Sequence, residues 1–462
     1  MLVVNFTSFK FIIHSYFFII LFSISFCQYV LVPQRPLFDL LKWEEINSNK
    51  ILIPKIGPLI NPDLEFSSFT SFYYTNTQRD RIVTGEIFPE FTINNIEGTR
   101  LRLYGNAAIL LNDKIMIQNE FEFDNKGISE PHFQGVERGF KNGWVGYLQH
   151  SSLTYDYPKG YLSIGRGNPY YYNMNESLLL NPHFPPAEYV IWQHEVQWFQ
   201  YNWGFMMLNA ISKDARLEKE NRFLTYHRYG LNRDKWRIGF TEAVLVHHEI
   251  WSSREVEYLL PSSVLIETEA NNGVNANLMW LFDIMYKYNS WTIYSEFLVD
   301  DYAINGKTPP QIASVIGIGK SIKKLLLNME YSRINRWVGN HCDSLNIWIN
   351  SDVPIGHALG PDAHKLQISS YMLIKEDISF EILVGFIESG DGTAYQRLLE
   401  SWPEGIKCDQ DFDYGKEGSF PTKSNTNIFY NIRTNYLIRE KFMLSLLFNN
   451  KTEINFKITI KM

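Results

Sequence analysis

Between Arg222 and Tyr302 apolar and polar positions alternate by two through four successive runs. In Ser290 to Val299, Trp291, Ile293, Phe297 and Val299 share one parity, with Ser295 the small exception, while Thr292, Tyr294, Glu296 and Leu298 share the other. Upstream, Leu278, Trp280, Phe282, Ile284, Tyr286 and Tyr288 alternate with Asn277, Asp283 and Lys287, and also with Met279, Leu281 and Met285. A period of two sends successive side chains to opposite faces of a strand, so these runs predict a sheet with one strongly apolar face and one more polar face. An apolar face this aromatic requires either a second layer or lipid. The runs are joined by tight polar turns such as Asn232-Arg233-Asp234 and Tyr288-Asn289-Ser290, or by one long decorated loop.

The same pattern governs the chain from about Phe88 to the end, with almost no helical period. Strands are predicted over 99–111, 114–124, 144–155, 160–166, 189–212 (a hairpin broken near Asn202) and 223–229. They continue over 311–318, 324–337, 365–374, 379–387, 427–435, 442–449 and 453–461. With the central runs and one or two near Phe88, the total is about eighteen. In the last segment Ile454, Phe456, Ile458, Ile460 and Met462 alternate with Asn455, Lys457, Thr459 and Lys461. A closing amphipathic strand is a habit of outer-membrane barrels. Short connections (Lys375-Glu376-Asp377, Arg439-Glu440-Lys441, Asn450-Lys451) stand against long ones (388–426, 337–364), as expected of periplasmic turns and extracellular loops. The expected fold is therefore all-β: a transmembrane outer-membrane β-barrel of about eighteen antiparallel strands over 81–462.

The N-terminal region differs. Lys10 precedes the apolar run Phe11 to Phe26, and Ser25-Phe26-Cys27 puts small residues where a signal peptidase needs them, so 1–27 reads as a secretory signal peptide. The alternative, an uncleaved anchor, needs a longer run than this one. Residues 28–80 read as a helical or irregular periplasmic segment, with one helix at Arg35 to Asn47 and the proline-bearing stretch Ile51 to Leu64 as a linker. Export would allow Cys342 and Cys408 to pair.

Composition narrows the partners. Aromatics make up 15% of the chain and charged residues 20%, with a mean hydropathy of −0.20, which suits strands that turn every second residue to something apolar. The net charge of −7 and the lack of clustered Lys and Arg argue against nucleic acid and leave a neutral or weakly acidic carbohydrate open.

Glu296, Asp300 and Glu330 fall on the polar parity and would line the lumen, beside a crowd of Glu267, Glu269, Asn271, Asn272, Asn275 and Asn277 in a loop and strand start. A carboxylate pair could work on a glycoside if its separation were right. An ion-pair lattice with Arg228 and Arg333 is the competing and favoured reading. His247-His248-Glu249 alternates across a strand, so at most two of the three could share a metal. Gly317-Ile318-Gly319 and Gly165-Arg166-Gly167 are too short for a phosphate loop, and glycine there relieves crowding. No nucleophile elbow is present, and no cofactor or metal is expected. Glu242 shares parity with Trp236, Ile238 and Phe240, and Arg333 with Leu327, Met329 and Tyr331, so a bulge or the end of the lipid band is expected at each.

Successive motifs carry a resemblance: Gly165-Arg166, Leu178 to Pro182, Tyr226-His227-Arg228, Gly239 to Val244, Glu257 to Pro261, Glu269 to Asn277, Tyr294 to Asp301, Glu330 to Asn335 and Gly356 to Ala363. In that order and spacing they resemble the capsule assembly protein Wzi family. The resemblance implies a bacterial outer-membrane barrel with a helical element at its periplasmic end, linked to holding or organising capsular polysaccharide at the cell surface. It implies binding without catalysis, a monomer, and outer-membrane lipid and polysaccharide as partners. The implied contact or lumen-network residues are Arg166, His227, Arg228, Glu242, Glu269, Asn272, Asn277, Glu296, Asp300, Glu330, Arg333, His357 and Asp362. A transport pore or purely structural barrel is the alternative, and a surface glycan hydrolase the third.

Overall fold

The structure is a computed structural model that describes residues 82–94, 98–112, 114–125, 136–137, 144–168, 177–181, 184–211, 222–233, 235–247, 255–272, 276–301, 311–341, 343–351, 353–375, 378–390, 392, 421, 425–438, 442–449 and 454–460. The expected signal peptide, the helix at Arg35 to Asn47, Cys342, Cys408, His248 and Glu249 lie outside these residues.

The strands are β1 Ile82–Asn94, β2 Gly98–Asn112, β3 Ile115–Asp124, β4 Val136–Glu137, β5 Val145–Tyr157, β6 Gly160–Gly167, β7 Ala187–Val196, β8 Phe199–Met207, β9 Arg222–Asn232 and β10 Trp236–His247. They continue as β11 Asn277–Tyr288, β12 Trp291–Asp301, β13 Gln311–Ile322, β14 Leu325–Ile334, β15 Ile349–Asn350, β16 Val353–Pro354, β17 Ala363–Lys375, β18 Ile378–Ser389, β19 Asn425–Ile438, β20 Phe442–Asn449 and β21 Ile454–Ile460. Among the described residues, β15 and β16 form a separate two-stranded ladder, and the other strands form one nineteen-stranded sheet in which the two-residue β4 merely flanks β5. The remaining eighteen pair antiparallel with their neighbours in the chain. β21 then pairs with β1, from Glu90↔Thr459 to Asn94↔Asn455, so the sheet closes on itself. Closure leaves no edge strand with unpaired backbone groups.

Strand direction alternates around the ring. This gathers the short turns after β2, β5, β7, β9, β11, β13, β17 and β19 at one end and the long connections at the other. Gln197, Asn289 and Lys323 take left-handed φ values of 56°, 52° and 52° in the tight hairpins, the backbone that a two-residue turn between twisted strands demands. The same alternation corrects one expectation: β20 and β21 join at the long-connection end, so Asn450-Lys451 does not belong with the turns that follow Lys375 and Ile438. A second correction concerns the hairpin expected to break near Asn202. It turns at Gln197-Trp198, and Asn202 sits inside β8 with its side chain buried.

The expected apolar face points outward. Phe282, Ile284, Tyr288, Trp291, Ile293, Phe297, Ile316, Ile318, Leu327 and Met329 are all exposed, while Asp283, Lys287, Thr292, Glu296, Asn328 and Glu330 on the opposite parity are buried inside. The central runs thus form the four strands β9 to β12, as read from the alternation. The stretch from Glu267 to Asn272, expected as a loop, is instead part of a short helix, α1, over Leu265–Asn272.

Glycines on inward positions let side chains from flanking strands meet across a middle strand. Tyr294 on β12 reaches over Gly317 on β13 and donates its hydroxyl to Glu330 on β14 at 2.6 Å. A Cβ at Gly317 would stand 2.1 Å from the Tyr294 ring. Arg228 on β9 likewise crosses Gly239 on β10 to reach Asp283 on β11. Gly317→Ala is therefore expected to displace the ring and destabilise the folded barrel by about 1–3 kcal/mol, read from urea titration in detergent. An unchanged midpoint would show that the ring relaxes without cost.

Candidate functional site

The interior of the wall from β6 to β14 is packed. Inward side chains Tyr161, Tyr189, Ile191, Met206, Leu224, Tyr226, Ala243, Leu245, Met279, Leu281, Leu298 and Val315 form one buried cluster with Leu178, Leu179, Leu180, Phe184, Trp348, Val353 and Ile355. The second group comes from two long connections, β6–β7 and β14–β17, which fold against the inner face and fill it. This accounts for Met279 and Leu281 on the otherwise polar parity, while Met285, in register with Tyr294, extends the same cluster toward the short-turn end.

Inward polar residues hold the inserts. Glu296 accepts the Leu178 amide at 2.7 Å and the Ser177 hydroxyl at 3.1 Å. Arg222, fully buried, donates from Nε to the Leu345 carbonyl at 2.6 Å and from Nη2 to the carbonyls of Ile347 at 2.8 Å and Ile349 at 3.0 Å. Asn277 donates to the Asn346 carbonyl at 3.0 Å, and Asp300 accepts the Gly339 amide at 2.7 Å. The inserts also bind each other, through Trp348 Nε1 to the Leu179 carbonyl at 3.0 Å, the Asn181 amide to the Ile355 carbonyl at 2.7 Å and Asn350 Nδ2 to the Pro185 carbonyl at 2.6 Å. An inserted loop carries backbone groups that its burial deprives of water, and these side chains satisfy them.

Beside Glu296, at the level of its register partner Asp283, the network is ionic. Arg228 and Asp283 form a two-pronged pair, with Nη2 to Oδ1 at 2.9 Å and Nη1 bonded to Oδ2, and Arg237 Nε lies 3.6 Å from the same carboxylate. Glu330 accepts from Tyr294 and, at 2.8 Å, from Gln367 Nε2. Glu296 and Glu330 are thus each engaged by separate partners.

The two residues that break the face pattern have different explanations. Both strands pair without a bulge at those positions. Glu242 does point outward, and it is buried because the β10–β11 connection folds down over the outside of the wall. Its carboxylate accepts the amides of Leu265 at 2.8 Å and Ile266 at 3.1 Å, in the first turn of α1. His227, paired with Glu242 in register, lies under the same cover, its ring 6.3 Å from that of Tyr201, whose hydroxyl bonds to the Pro261 carbonyl. Phe223, Val244, Val246, Tyr258 and Leu265 pack this cover down. Arg333 is exposed near the end of β14 beside His364, which bonds Glu388 at 3.0 Å, so there the apolar belt gives way to a polar rim.

The remaining candidates sit at the long-connection end. Arg166 pairs with Glu188 at 2.7 Å with Tyr147 beneath it. His357 Nδ1 accepts the Leu359 amide at 3.1 Å, and Asp362, at a φ of 59°, accepts the Gly392 amide at 3.0 Å. The side chains of Glu269 and Asn272 lie outside the described residues. The eleven candidates whose side chains are described therefore serve three places rather than one: the inserts and inner wall, the covered outer wall, and the rim. Sequence reading passed over Arg222, Asp283 and Arg336, whose guanidinium lies 5.5 Å from the Trp337 ring centre. Parity marked Asp283 as inward; no local signal marked Arg222. Among the described residues no group of three His, Cys, Asp or Glu side chains is placed to hold a metal.

No protein-family model matches the chain, and no curated protein matches it in sequence. Solved structures do. One is Wzi of Escherichia coli, described as an outer-membrane protein involved in group 1 capsule assembly and a carbohydrate-binding β-barrel, at TM-score 0.53 and 12% identity over 82% of this chain and 84% of that one. Another is OprD of Pseudomonas aeruginosa, at TM-score 0.45 and 9% identity over 82% and 94%. The fold is that of an outer-membrane β-barrel. The outward belt of Trp, Tyr, Ile and Phe is accordingly its lipid-facing surface.

Proposed function

We propose that this barrel binds a surface polysaccharide at its long-connection end, without catalysis, in capsule or surface-polysaccharide assembly. The observation that supports this reading is the packed interior from β6 to β14, where a hydrophobic cluster and latched inserts occupy space that a channel would leave to water. A wall built that way serves a surface better than a passage. The structural likeness to a barrel described as carbohydrate-binding points the same way. Sugars offer hydroxyls that Arg, carboxylate and amide groups bond, and apolar ring faces that aromatics cover. Arg166 and Glu188, whose side chains are 20% and 41% exposed, lie beside Tyr147 and supply both kinds of group at the rim, and Arg336 adds a further guanidinium.

The test is binding of the folded, detergent-purified protein to a panel of capsular and other surface polysaccharides. Saturable, glycan-selective binding is expected, weakened about tenfold or more by Arg166→Ala or Arg336→Ala through the loss of charge-assisted hydrogen bonds. Absence of binding to every glycan by a folded barrel would remove the proposal. The second reading, a pore, draws on the half-exposed inward residues Glu381, Arg433 and Asn435 along β18 and β19. Sustained single-channel conductance in planar bilayers would favour it.

A further inference from the structure

At the short-turn end of β7 to β14, four neighbouring turns are tied edge to edge. The Asn232 amide donates to the Trp198 carbonyl at 2.7 Å, that of Lys287 to the Lys235 carbonyl at 2.9 Å, and that of Ser321 to the Ser290 carbonyl at 2.9 Å. This brings Arg233, Lys235, Lys320, Lys323 and Lys324 onto one arc, with Asp234 the lone carboxylate in the stretches 232–235, 289–290 and 320–324. In a chain of net charge −7 the arc is locally cationic. Among the described residues none of the five cations forms an ion pair with a carboxylate.

Three of these cations stand over exposed rings. The Arg233 guanidinium lies 5.4 Å from the Trp198 ring centre, Lys235 Nζ 5.5 Å from that of Tyr288, and Lys320 Nζ 4.3 Å from that of Trp291. Trp198, Tyr288 and Trp291 are 44%, 52% and 41% exposed, and the lipid-facing residues Ile238, Ile284, Ile293 and Ile318 follow along the same faces. An amphipathic ring at the end of an apolar belt belongs at headgroup depth, and a cation held on it meets the phosphate layer. Short turns face the periplasm in such barrels, so the leaflet is the phospholipid one.

We propose that this arc is a binding site for anionic phospholipid headgroups of the inner leaflet, the phosphate held by Arg233, Lys235 and Lys320 and supported by Lys323 and Lys324. The exposed ring bodies and the continuity with the lipid-facing belt select a lipid over a soluble acidic protein. The test uses the full chain reconstituted in phosphatidylcholine nanodiscs with or without phosphatidylglycerol, with retained lipid counted by native mass spectrometry. The intact protein is expected to retain phosphatidylglycerol preferentially. Lys320→Gln should lower that affinity about fivefold, the effect of one cation near a charged surface. The triple change K320Q/K323Q/K324Q, confined to the surface, should abolish the preference while heat-dependent gel migration shows the barrel intact. No preference in the unaltered protein, or an undiminished one in the triple variant, would overturn the proposal. Full displacement by inorganic phosphate alone would also overturn it, by assigning the site to free phosphate.

Discussion

Asp283→Ala is expected to lower the stability of the folded barrel by about 3–5 kcal/mol, because it removes the carboxylate shared by two guanidinium groups in the closed lumen. Arg228 and Arg237 are each 1% exposed, so water cannot take over the lost role without the wall opening. The measurement is the urea midpoint in detergent, supported by the temperature at which the compact form is lost on gels. Replacing all three charges together, with Arg228→Met, Arg237→Met and Asp283→Leu, should recover much of the loss, since the desolvation cost disappears with the charges. A drop below about 1 kcal/mol for Asp283→Ala would mean that this part of the lumen is wet and its charges are screened.

Arg222→Ala should have the second large effect, and a local one. Its guanidinium satisfies the carbonyls of Leu345, Ile347 and Ile349, none of which can turn to water while the insert stays in place. Each bond from a charged donor contributes about 1.5–3 kcal/mol, so the β14–β17 insert should detach before the barrel unfolds. Hydrogen exchange at the Trp348 amide, which donates to the Gly339 carbonyl at 2.8 Å, should speed up, and conductance should rise above that of the unaltered protein. Arg222→Lys should restore little, because an ammonium cannot spread its donors over three carbonyls. Unchanged exchange and conductance would mean that the hydrophobic packing of Trp348 and Ile355 holds the insert unaided.

The rim proposal and the lumen latches make different demands on the same residues. Glu296, one of the thirteen candidates, is buried against Ser177 and Leu178 and works as a latch. Its substitution would disturb glycan binding through the insert it holds. Arg166 is the cleaner probe, since its guanidinium pairs with Glu188 on the neighbouring strand of the wall.

Several features were legible in the sequence. The alternation of Trp291, Ile293 and Phe297 against Thr292, Tyr294 and Glu296 located a strand, its faces and its direction of exposure. Repeated along the chain it yielded the strand number to within the uncertainty of a few short segments. Gly317 could be read as relieving crowding, though nothing local named Tyr294 as the ring it accommodates. The turn at Gln197-Trp198 was misplaced although the apolar parity changes there, from Val196 and Trp198 to Phe199, Tyr201 and Trp203, and Gln197 takes the left-handed backbone of the turn.

Glu242 and Arg333 show where local pattern stops. Both sit on the lipid-facing parity, and period alone treats them alike. The fold separates them: one is covered by a helix laid over the outer wall, the other lies where the belt ends. The inward apolar residues Met279 and Leu281 are a similar case, since what fills the lumen comes from elsewhere in the chain. Leu178 is 118 residues from Glu296, and Ile347 is 125 from Arg222. By itself, then, the sequence determined an all-β chain of amphipathic strands with an aromatic outer face, because side-chain parity in a strand is a property of adjacent residues. Only the tertiary structure decided that the sheet closes, that two connections fill its interior and that a third covers part of its outside. Those outcomes depend on which distant backbone groups each buried side chain can satisfy.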